Sequence, residues 1–66
     1  MTDKQRLVYD LSLLSTAEEM HRRKANEIHY LPADVLDTFE GMIQAFSVMD
    51  SCRLSQVMEA LKKVGP

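Results

Sequence analysis

The chain is 66 residues long, with 45% hydrophobic, 27% charged and 6% aromatic content and a formal charge of −2. A chain of this size buries only about 60% of its unfolded surface, so its own core is marginal, and small proteins are usually reinforced by disulfides, a structural metal or a second subunit. Cys52 is the only cysteine, which excludes an internal disulfide and a cysteine-based zinc site within one chain and leaves oligomerisation as the expected reinforcement.

The longest uninterrupted apolar runs are two or three residues, such as Leu7 to Tyr9, against the roughly 20 that a membrane span needs. Residues 1–6 lack the apolar stretch of a secretion signal. The start at Met1 without a targeting segment predicts a complete small gene product in a reducing cytoplasm. The slight acidity supplies no overall field to attract nucleic acid or anionic lipid. Composition thus selects a class of molecule but no substrate.

Two Gly and two Pro in the whole chain, one of each at positions 65 and 66, predict an almost entirely helical protein. Thr2 followed by Gln5 has the spacing of a capping box, after which Leu7, Leu11 and Leu14 recur at helical intervals. The first helix is therefore expected from about residue 3. Thr16 and Glu19 repeat the box pattern just after Ser15, a candidate interruption. Without Gly or Pro to stop it, the helix is expected to run on to about His29.

The firm boundary is Tyr30 to Pro32, because proline disfavours a helical residue before it and suits the first turn of a helix after it. From there Val35, Phe39, Met42, Phe46 and Met49 alternate spacings of four and three, with Asp34 and Asp37 near the positive end of the dipole. Asp50-Ser51 is positioned to cap a last helix carrying Leu54, Val57, Leu61 and Val64, yet the same periodicity permits one helix from 33 to 64. The expected fold is all-α: one domain over residues 1–66, a helical hairpin or three-helix unit, packed as a homodimeric helical bundle.

Glu18-x-x-His21 has the spacing of a carboxylate–imidazole pair in a di-metal bundle. Glu40, the only further donor at a matching depth, sits off the apolar face, while Glu18 and Glu19 each precede an arginine by four residues, as surface ion pairs do. No metal and no cofactor is expected. Cys52 with His21 or His29 lacks both a third orienting group and a glycine-containing oxyanion loop, so no catalytic residue is expected and the protein is read as a non-enzyme.

His21-Arg22-Arg23-Lys24 is the only basic run, and Arg22, Arg23 and Lys24 are candidate nucleic-acid contacts, most of all on a dimer that presents them twice. Against this stand Glu18, Glu19 and Glu27, which neutralise the run locally. The apolar excess of residues 7–14 is more informative: only Asp10 and Ser12 are polar, and the rest wrap a wider arc than one neighbouring helix covers. Leu7, Leu11 and Leu14 are expected in the core. Val8, Tyr9 and Leu13, to either side, are expected to bind a partner, with Met20, Met42, Met49 and Met58 adding adaptable apolar surface. The expected function is that of a small regulatory or adaptor protein that binds another protein, the alternative being a dimeric DNA- or RNA-binding regulator.

Overall fold

The computed structural model describes residues 1–64, and within them the chain is all-helical: α1 spans Asp3–Ala25, α2 Pro32–Ser47 and α3 Ser51–Val64. The Val64 side chain, expected on the inner face of the last helix, and Gly65-Pro66 lie outside what is described. The 23 residues of α1 make it about 34 Å long, matching the 35 Å longest dimension of the molecule. It packs against both other helices, which touch each other little.

Local chemistry sets each helix end. Thr2 caps α1: its hydroxyl accepts from the Gln5 N–H at 3.1 Å, and the Gln5 amide oxygen accepts from the Thr2 N–H at 2.9 Å. Pro32 is the first residue of α2, and the Asp34 carboxylate accepts the Leu31 N–H at 2.8 Å, satisfying a donor that the helix leaves free. Asp50 caps α3, taking the Arg53 N–H on its carboxylate at 2.7 Å and the Leu54 N–H on its carbonyl at 3.0 Å. Met49 and Leu54, at the spacing of a hydrophobic staple around that cap, both join the core. The break at Asp50 is therefore real, and the unit has three helices rather than two.

The expected continuation of α1 past Ser15 is what the structure shows: Thr16 is buried inside a continuous helix and caps nothing. The expected end needs correction, because the helix stops at Ala25, four residues short of His29. The stop is a left-handed turn at Glu27, φ 58°, with the Ile28 N–H donating to the Arg23 carbonyl at 2.8 Å and the Glu27 N–H to the Lys24 carbonyl at 3.1 Å. This is the Schellman pattern, which usually places glycine at the left-handed position. Asn26 adds a side-chain bond from its amide nitrogen to the Arg22 carbonyl at 3.0 Å.

The core lies where the first half of α1 meets the end of α2 and the start of α3. Val8, Leu11, Phe46 and Leu54 form it, with Leu7, Met42, Ile43, Met49, Val57, Met58 and Leu61 packed around them. The buried stripe of α1 runs through Val8, Leu11, Ser12, Thr16 and Met20. Val8, expected on a partner face, is thus a core residue, and Leu14, expected in the core, is 44% exposed. The physical reason is that α1 faces two neighbours at once, so its buried direction lies between them.

Candidate functional site

With α2 antiparallel to α1, Tyr9 stands opposite Phe39, and the two rings meet edge to face with centroids 5.7 Å apart and planes at 88°. This is a favoured aromatic geometry. On one side of the pair, Met1, Lys4, Gln5, Val8, Tyr9, Ile43 and Ser47 line an open groove of about 650 Å³. On the other side a groove of about 330 Å³ is walled by Leu13, Thr16, Ala17, Met20, Val35, Leu36 and Phe39, nearly all apolar. Together they make one continuous face along the α1–α2 pair.

Four large apolar side chains on this face are substantially open to solvent: Met1 at 86%, Tyr9 at 45%, Leu13 at 46% and Leu36 at 67%. Leu36 and Phe39 are members that sequence reasoning did not place there. Both share the apolar periodicity of α2, but only the packing of α2 on α1 shows which side of that stripe remains uncovered. Of the expected partner-binding residues, Tyr9 and Leu13 lie together on the face, while Val8 sits beneath it, with only 7% exposure.

Comparison with protein-family models, with curated proteins and with solved structures finds no match to this chain.

The basic run is built differently. Arg22, Arg23 and Lys24 occupy the last turn of α1, where cations oppose the partial negative charge of the free carbonyls. Arg22 donates twice to Glu19, from Nη2 at 2.7 Å and from Nε at 3.1 Å, and Arg23 Nε donates to the same carboxylate at 3.1 Å. Glu18, expected to pair with Arg22, is replaced in that role by Glu19. The hydrogen bonds from Arg22 and then Arg23 hold the Glu19 carboxyl below its ordinary pKa, and Glu19 in turn raises that of Arg22.

Glu18 and His21 do line a common groove, shared with Ser15, Glu19, Arg22, Met42 and Leu61. Glu40 is not among its walls, and no group of three or more His, Cys, Asp or Glu side chains able to hold a metal occurs among the described residues. Cys52 is exposed in the first turn of α3, whereas His29 lies in the connection between α1 and α2. No helix among the described residues is long and apolar enough to cross a membrane.

Proposed function

We propose that the protein is a non-enzymatic interaction module, a small cytoplasmic regulator or adaptor that binds another protein through the α1–α2 face and self-associates as a homodimeric helical bundle. One observation carries this: Tyr9, Leu13, Leu36 and Phe39 form a contiguous apolar surface that no part of the described chain covers. Tyrosine is among the usual anchors of protein interfaces, and a contiguous exposed apolar patch around it marks a surface that binds. The smaller groove is almost wholly apolar and the larger one sets Lys4, Gln5 and Ser47 beside apolar walls, a combination that suits the docking of an amphipathic helix.

Affinity capture from the native host with wild type, Leu13→Asp and the triple variant Arg22→Ala/Arg23→Ala/Lys24→Ala tests it. The expected result is a defined partner held by wild type and by the triple variant through nuclease treatment, and lost from a Leu13→Asp chain of unchanged helicity. Capture indifferent to Leu13→Asp sinks the proposal. A salt-sensitive nucleic-acid complex lost only from the triple variant establishes the nucleic-acid alternative in its place.

A further inference from the structure

We draw no further inference here: the strongest candidate, the apolar groove between α1 and α2 beside the buried, unpartnered Thr16 hydroxyl, carries none, because nothing in the structure shows what covers it and the hydroxyl itself is closed to solvent.

Discussion

The two ends of the helical unit are held by different physics. At one end Val8, Leu11, Phe46 and Leu54 bring all three helices together in an apolar cluster, with Leu11 and Leu54 fully buried. At the other, where α1 ends and α2 begins, the structure relies on an ion cluster, a left-handed turn and a carboxylate cap, while Leu36 stays in solvent. The first end is specified by many small contacts that tolerate solution conditions. The second is specified by a few directional groups, which makes it the adaptable end and the one from which a docking face extends.

The contrast predicts unequal responses to truncation. Leu11→Ala or Leu54→Ala removes a fully buried side chain from the apolar cluster where the three helices meet, and is expected to cost about 2–5 kcal/mol, a large part of a marginal domain's stability. Tyr9→Ala gives up only the edge-to-face contact with Phe39 and part of an exposed surface, about 0.5–1.5 kcal/mol beyond lost area. Urea melts followed by circular dichroism compare them. Equal destabilisation by Tyr9→Ala would mean that the outer face is part of the core after all.

Next in size is Thr16, at the less apolar end. Ser12, Thr38 and Ser47 each donate their hydroxyl to the carbonyl four residues earlier, at 2.7, 2.8 and 2.6 Å. Thr16 is buried as deeply as the core residues, yet its hydroxyl has no partner. Thr16→Val keeps the shape and removes the unsatisfied group, so stability is expected to rise by about 1–3 kcal/mol. A loss instead would show that the hydroxyl has a partner in solution, as it would if water entered the adjoining groove.

Legibility in the sequence followed how local each cause is. The Thr2–Gln5 box, Pro32 and the Asp50 cap are complete within four residues of sequence, and the structure uses all three. Leu11 and Leu54 were recognisable because both lie centrally in their apolar stripes. Val8 and Leu14 were exchanged because residues 7–14 are apolar almost all round, so periodicity cannot fix which direction two neighbouring helices will cover. Leu36 became part of the site only through the pairing of α2 with α1. The stop at Glu27 had no sequence signal, since glutamate carries no preference for the left-handed region and the turn is secured by backbone bonds from Glu27 and Ile28.

Glycine placement yields a smaller, paired effect. Glu27→Gly relieves a positive φ, and after the added flexibility of the unfolded chain it is expected to gain about 0.5–1 kcal/mol. Gly41 lies inside α2 with open space where a β-carbon would stand, so Gly41→Ala is expected to gain about 0.5–1 kcal/mol as well. The sites are distant, so the double variant should show the sum. A destabilised Glu27→Gly would assign the carboxylate a role that outweighs the strain.

The smallest effect belongs to Glu19, and it separates the two ends by pH. Hydrogen bonds from Arg22 and then Arg23 depress its folded-state pKa below the unfolded value, so folding favours the ionised form. Such a group contributes its stabilisation fully above the unfolded pKa and loses it as pH falls through the folded pKa. The melting temperature of wild type should therefore exceed that of Glu19→Gln at neutral pH, and the gap should close as the solution is acidified through the carboxylate range. Because the cluster is solvent-accessible, added salt at neutral pH should narrow the gap too. Leu11→Ala, acting at the apolar end, should depress stability by a similar amount at both pH values and at both salt concentrations. A Glu19→Gln gap that persists unchanged into acid would mean that the carboxylate acts by shape or hydrogen bonding rather than by charge, and the electrostatic description of that end would fall.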